Sequence, residues 1–166
     1  RILVAAPVRK HPDTLAAFLR SLLRQVLPPA VELEFAFVDD NTDPTSSQIL
    51  ATFEPHRTTI IQGTKAADGF ADAAGPTHQW TPKAMSRVGE AKNRLIQLAL
   101  DGHYDRLWLV DCDLILGLRT LWSLHATDAP IVCGVFWTRW QDTPDCPPLP
   151  QVWLRHPYQL DGKGMD

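Results

Sequence analysis

The chain has 166 residues, is 45% hydrophobic and 21% charged, and carries a formal net charge of −3. That length suits one sizeable core, and the sequence is read as a single domain spanning residues 1–166. The charge balance, with no Lys/Arg run, gives no nucleic-acid footprint, and no apolar run approaches the roughly 18–20 residues that cross a bilayer.

Residues 1–6 (RILVAA) form a short apolar run stopped by Pro7, as a buried first strand would be. Leu15, Phe18, Leu19, Leu22 and Val26 follow at helical spacing, and Pro28-Pro29 ends that amphipathic helix. Residues 31–39 (VELEFAFVD) alternate and then turn apolar, which predicts a second strand. Asp43 as N-cap and Pro44 at the first helical position open a short helix with Ile49, Leu50 and Phe53 inward. Residues 58–61 predict a third strand.

Residues 63–81 lack periodicity and are rich in Gly, Ala and Asp, the composition of a long functional loop. Thr81-Pro82 restarts a helix whose buried stripe is Met85, Val88, Ala91, Leu95, Leu98 and Ala99, and Gly102 closes it. Next comes the run RLWLV, then Asp111-Cys112-Asp113. A helix is expected over 117–126, an apolar strand over 129–138 and a last short strand near 152–154. Strand and helix alternate, so the expected fold is α/β: a Rossmann-like, three-layer arrangement with a mostly parallel central sheet.

In such sheets ligands bind outside the carboxyl ends of the strands. Three polar clusters fall there: Pro7-Val8-Arg9, Asp39-Asp40-Asn41 and Asp111-Cys112-Asp113. As a string the D-x-D carries little, because 15 Asp in 166 residues give roughly 1.3 matches by chance. Its place counts for more. Residues i and i+2 of an extended segment point to one side, so Asp111 and Asp113 could offer two hard oxygen donors to Mg²⁺ or Mn²⁺. The alternative is a solvated strand end with Asp113 capping the next helix. Asp39-Asp40-Asn41 likewise reads either as a turn with an N-cap or as an acceptor of hydrogen bonds from a base or ribose. Lys92 sits near the edge of its helix's apolar stripe, either snorkelling to water or reaching a phosphate. Trp80, Trp137, Trp140 and Trp153 are candidates for stacking on a sugar or base, with core packing as the competing role.

Other chemistries lose support. The six histidines show no H-x-x-x-H spacing, and Cys112, Cys133 and Cys146 share no metal-ligand spacing. Reduced thiols point to a cytoplasmic protein. No G-x-G-x-x-G, P-loop or G-x-S-x-G occurs.

Taken together, ILVAAPVRK, VDDNTD, GEAKNRLIQLALDGHYDRLWLVDCDLIL and LRTLWSLHATDAPIVCGVFWTRW resemble the family 2 glycosyltransferases of bacteria. The likeness covers most of residues 1–160, and PQVWLRHPYQL is similar to the strand after the acceptor-side loop of one subgroup. The resemblance implies the GT-A fold and a hexosyltransferase-like, inverting enzyme. Its donor would be a nucleotide-diphospho-sugar (UDP- or GDP-sugar), its acceptor a saccharide or other hydroxyl, and its cofactor Mn²⁺ or Mg²⁺. On that pattern Ala6, Pro7, Arg9, Asp40, Lys92 and Asp111 form the donor-binding set, and Asp111 and Asp113 hold the metal. Asp40 matches the second acid of a D-D-x-S turn, with Thr42 where Ser is usual, and Lys92-Asn93 stands where many members have Arg-Asn.

The family's base is usually a Glu-Asp pair downstream of the strand matching 129–138, but no Glu follows Glu90. The catalytic base is therefore expected beyond Asp166, with residues 1–166 the donor-binding part of a longer protein, as the start at Arg1 also suggests. Within the chain Asp142, Asp145, Asp161 and Asp166 are the remaining candidates. The competing functions are a non-catalytic nucleotide-binding domain and a phosphotransferase with Asp111 as nucleophile.

Overall fold

The structure, a computed structural model, describes residues 1–53, 57–65, 81–138 and 147–150. The chain divides into two compact units, Arg1–Trp122 and Ser123–Asp166.

The first unit is an α/β structure. Strands β1 (Ile2–Val8), β2 (Leu33–Asp39), β3 (Thr58–Gln62) and β4 (Arg106–Leu109) form one all-parallel sheet in the order β3-β2-β1-β4. Helices α1 (Pro12–Leu23), α2 (Pro44–Ala51) and α3 (Pro82–Asp101) connect them, so the predicted alternation of strand and helix is present. The order reverses at β1. The chain moves outward through β2 and β3, then returns to add β4 on β1's other side. Side chains on the two faces of β1 belong to different cores. Val4, Ala6 and Val8 pack with Phe35, Phe37, Leu15, Phe18, Leu22 and Leu50, which puts α1 and α2 on one face. Leu3 and Ala5 pack with Ala36, Val38, Ala91, Leu95 and Ala99, which puts α3 on the other. Alanines dominate that second contact, so small side chains let α3 lie close to the sheet.

The helix starts follow local chemistry. Asp43 accepts a hydrogen bond from Thr45 N at 2.8 Å and Thr81 accepts one from Ala84 N at 3.1 Å, each ahead of a proline in the first turn. Pro7 does not stop β1, which runs on to Val8 in register with Asp39. Ala5 O accepts from Val110 N toward β4, and Val8 O accepts from Asp40 N toward β2. That alternation turns Pro7 toward the β4 side. There the pairing has ended at Ala5 with Leu109, so the missing N–H leaves no ladder bond unmade.

Two packing expectations change. Met85 is 58% exposed, and the adjacent Ala84 is the buried residue of that turn. Val26 lies past the end of α1 and is exposed. The RLWL strand is half-buried along its length, because among the described residues it is an edge strand paired only with β1. The segment after Asp113 is tied to the end of α1: Gln25 donates to Gly117 O at 2.8 Å and accepts from Leu121 N at 3.0 Å.

A fourth helix, α4 (Thr120–Ala126), starts later than the expected 117. In the second unit, the apolar run 129–138 was expected to be one strand. Only β5 (Trp137–Thr138) is a strand, paired antiparallel with β6 (Leu149–Pro150), and Ile131 is 88% exposed. An apolar run becomes a strand only where a neighbouring strand takes its backbone groups, and no described residue pairs with 129–136. The strand expected near 152–154 lies outside the described residues. No described helix is long and apolar enough to cross a membrane.

Candidate functional site

Because the strands are parallel, their carboxyl ends lie together. They open onto a cleft of about 320 Å³ within the first unit. The cleft spans the ends of all four strands and takes in the point between β1 and β4 where strand order reverses, the place an open parallel sheet provides for a ligand. All three polar clusters from the sequence reach it: Pro7 and Arg9, Asp40, and Asp111 with Asp113.

The D-x-D segment is a turn, with Leu114 N donating to Asp111 O at 3.3 Å, rather than the extended strand expected. The one-sided arrangement survives. Cys112 turns into the core, 7% exposed, and its two neighbours turn out into the cleft. Burial pushes the Cys112 thiol up to about 11, so it stays protonated and packs as an apolar group between the carboxylates. Asp113 does not cap a helix, since α4 begins only at Thr120. Its carboxylate lies 2.8 Å from Lys10 Nζ. Asp111 lies 3.4 Å from Lys92 Nζ, so Lys92 does point from α3 into the cleft.

The tandem aspartates at the end of β2 divide their work. Asp40 forms the cleft wall: its Oδ1 accepts from Lys65 N at 2.7 Å and from Thr64 Oγ1 at 3.2 Å. Arg9 Nη1 lies 3.5 Å from its Oδ2. Asp39 is a structural knot, 3% exposed. It accepts from Asn41 N, Asn41 Nδ2 and Ser47 Oγ, and its Oδ2 lies 2.8 Å from Lys65 Nζ. Burial works to raise its pKa, but the Lys65 ammonium and the Ser47 and Asn41 donors outweigh it and hold the carboxyl below its ordinary value. Gly63 makes this packing possible. A Cβ there would sit 2.8 Å from Asp39 O and 2.9 Å from Asp40 Cα, so no side chain fits.

Ala6 is fully buried in the core facing α1 and α2, and does not line the cleft. Trp80, Trp140, Trp153, Cys146 and Asp142, Asp145, Asp161 and Asp166 lie outside the described residues, and Trp137 is 65% exposed in the second unit. Lys10 and Lys65 were not legible in the sequence, because neither forms a local pattern with the carboxylate it meets. The usable signal was position, since each follows the end of a parallel strand.

The lining carries five cationic side chains, Arg9, Lys10, Arg87, Lys92 and Arg94, beside four carboxylates, in a chain whose net charge is −3. Arg94 is fixed by donating to Gln62 O at 3.0 Å, which brings α3's charge to the end of β3. Such a cleft suits a ligand that is itself anionic. Two carboxylates on one side of a turn also match the donor set of Mg²⁺ or Mn²⁺, hard cations that complete their coordination with water and ligand phosphate. Among the described residues no group of three or more His, Cys, Asp or Glu converges, so the described residues offer such a cation at most these two carboxylates.

No family model matches the sequence, and no curated protein matches it. A crystal structure of S. aureus TarS, a glycosyltransferase, is similar to 76% of this chain at 22% identity, with a TM-score of 0.46. The chain spans 19% of the length of that protein.

Proposed function

We propose that this chain binds the nucleotide-diphospho-sugar donor of an inverting, family 2-like glycosyltransferase, in the cleft at the carboxyl ends of β1, β2 and β4. The observation that carries the reading is the convergence there of Asp40, Asp111 and Asp113 with cationic side chains from β1's end and α3. Asp40, held in place by Lys65 N and Thr64, faces the base and ribose end of the donor. Pro7 and Arg9 close the wall beside it. Lys92 serves the phosphates.

Asp111 and Asp113 would hold Mn²⁺ or Mg²⁺, which when bound neutralises charge on the diphosphate leaving group. The residues' own contribution is two carboxylates that line one cleft from the same turn, hard oxygen donors of the kind such a cation takes. The acceptor is a saccharide or other hydroxyl compound. No described residue is assigned as the base. Transfer to that acceptor is proposed for the protein as a whole.

A thermal-shift screen of UDP and GDP, with and without Mn²⁺ or Mg²⁺, tests this. Ligand at about 100 times its Kd stabilises a folded chain by about 2.7 kcal/mol, or roughly 5–10 °C in Tm. A rise of that size is expected only with nucleotide and cation together. An equal rise without the cation would remove the metal from the site. No rise with either nucleotide would remove the donor.

A further inference from the structure

Lys10 is built into place to a degree that a snorkelling lysine does not need. Its side chain is only 17% exposed, with Nζ 2.8 Å from Asp113. Its main chain is clamped on both sides: the N–H donates to Asn41 Oδ1 at 2.9 Å, and the carbonyl accepts from Ser46 Oγ at 2.7 Å. Asn41 and Ser46 are 2% and 0% exposed. Asn41 is oriented in turn by donating Nδ2–H to Asp39 at 2.8 Å. Buried polar groups from the end of β2 and the first turn of α2 thus hold the segment after β1 so that Lys10 meets Asp113. From the opposite wall Lys92 meets Asp111 at 3.4 Å. Each carboxylate of the D-x-D therefore already has a counterion from the chain.

That arrangement discriminates between two ways a divalent cation could arrive. A cation alone must draw both carboxylates away from their ammonium groups and then sit beside two displaced positive charges, at a Coulombic cost. A cation that enters with a diphosphate brings negative charge with it. The lysines can then move from carboxylate to phosphate oxygens and keep charge-assisted hydrogen bonds throughout.

We propose that Lys10 and Lys92 are internal counterions that close Asp111 and Asp113 to a free divalent cation and yield them to a cation–nucleoside diphosphate complex. The inference rests on the reading of Asp111 and Asp113 as cation ligands. It makes Lys10 a positioning residue that couples nucleotide binding to cation binding.

The test is a Mn²⁺ titration of the whole chain, followed by the electron paramagnetic resonance signal of free Mn²⁺, with and without UDP. In the wild type UDP is expected to tighten Mn²⁺ binding at least roughly tenfold. Lys10→Met keeps the apolar stem and removes the charge. It is expected to bind Mn²⁺ alone roughly two- to fivefold more tightly, the scale of a partly exposed ion pair, and to gain correspondingly less from UDP. Lys92→Met, at a more exposed pair, shifts the same way by a smaller factor and carries the test if Lys10→Met does not fold. Unchanged Mn²⁺ affinity in both lysine variants, with Mn²⁺–UDP still bound and lost in Asp113→Ala, overturns the counterion role and leaves the cation site standing. Absence of any Asp113-dependent Mn²⁺ binding, even with UDP, overturns the cation site and the counterion role with it.

Discussion

Asp113→Ala is expected to weaken Mn²⁺-dependent binding of UDP or GDP by about 100-fold, read by isothermal titration, while Tm stays within a few degrees of wild type. The two halves of this expectation have different causes. Asp113 supplies one of only two carboxylates the described cleft can offer at the D-x-D, so its loss removes half of the charge set against a divalent cation. Its structural role is small: the side chain is 45% exposed, does not cap α4, and makes one ion pair with Lys10. Pairs this exposed contribute about 0–1 kcal/mol. A threefold loss or less would show that the cation, if one binds, is held elsewhere.

Asp39→Ala is expected to do the reverse, lowering Tm by roughly 5–15 °C through a loss of about 2–4 kcal/mol. Asp39 lines no part of the donor cleft, yet it is 3% exposed and gathers Asn41, Ser47 and Lys65 at the carboxyl end of the sheet. Removing it leaves Asn41 N–H and Nδ2–H without their acceptor in a buried place, and Lys65 without its charge partner. The effect carries a pH signature. The carboxyl's pKa is held below its ordinary value near 3.8, so its contribution is complete above that range and is lost as pH falls through the lowered folded value. Urea unfolding should therefore show the largest gap between wild type and Asp39→Ala near neutral pH, narrowing below about pH 4. A gap that stays constant down to about pH 2 would mean that Asp39 contributes no more than an uncharged polar group.

The order of strands and helices was legible because the local signals are strong. Asp43-Pro44 and Thr81-Pro82 combine a side-chain cap with a proline that suits the first turn, and both helices begin there. Apolar runs located β1 to β4 for the same reason. Burial was less legible, because periodicity gives the face of an element and not its extent. Met85 and Ala84 are adjacent, and a rotation of about 100° separates a buried residue from an exposed one. Hydrophobicity could not place residues 129–136 in a sheet, since pairing depends on a neighbour that the run itself does not encode.

The site divides in the same way. The convergence of Asp40, Asp111 and Asp113 was legible because strand ends in a parallel sheet lie together, a rule of topology that sequence order carries. Their partners were not found. Lys10 is far along the chain from Asp113, and Lys65 from Asp39, and neither pairing has a local pattern. The split between Asp39 and Asp40 was also hidden. Adjacent residues at a strand end face opposite ways, and the partners that set the two roles, Ser47 and Lys65 Nζ for Asp39 and Lys65 N and Thr64 for Asp40, come from other segments.

A divalent cation and a nucleoside diphosphate are proposed to meet at the D-x-D turn. Amide line broadening by substoichiometric Mn²⁺ in the presence of UDP locates the cation directly, because the paramagnetic effect falls steeply with distance. Broadening is expected to centre on residues 111–113 and 8–10 and to disappear when UDP is omitted or Asp113 is replaced by alanine. Broadening centred elsewhere, or equal broadening in Asp113→Ala, would contradict it.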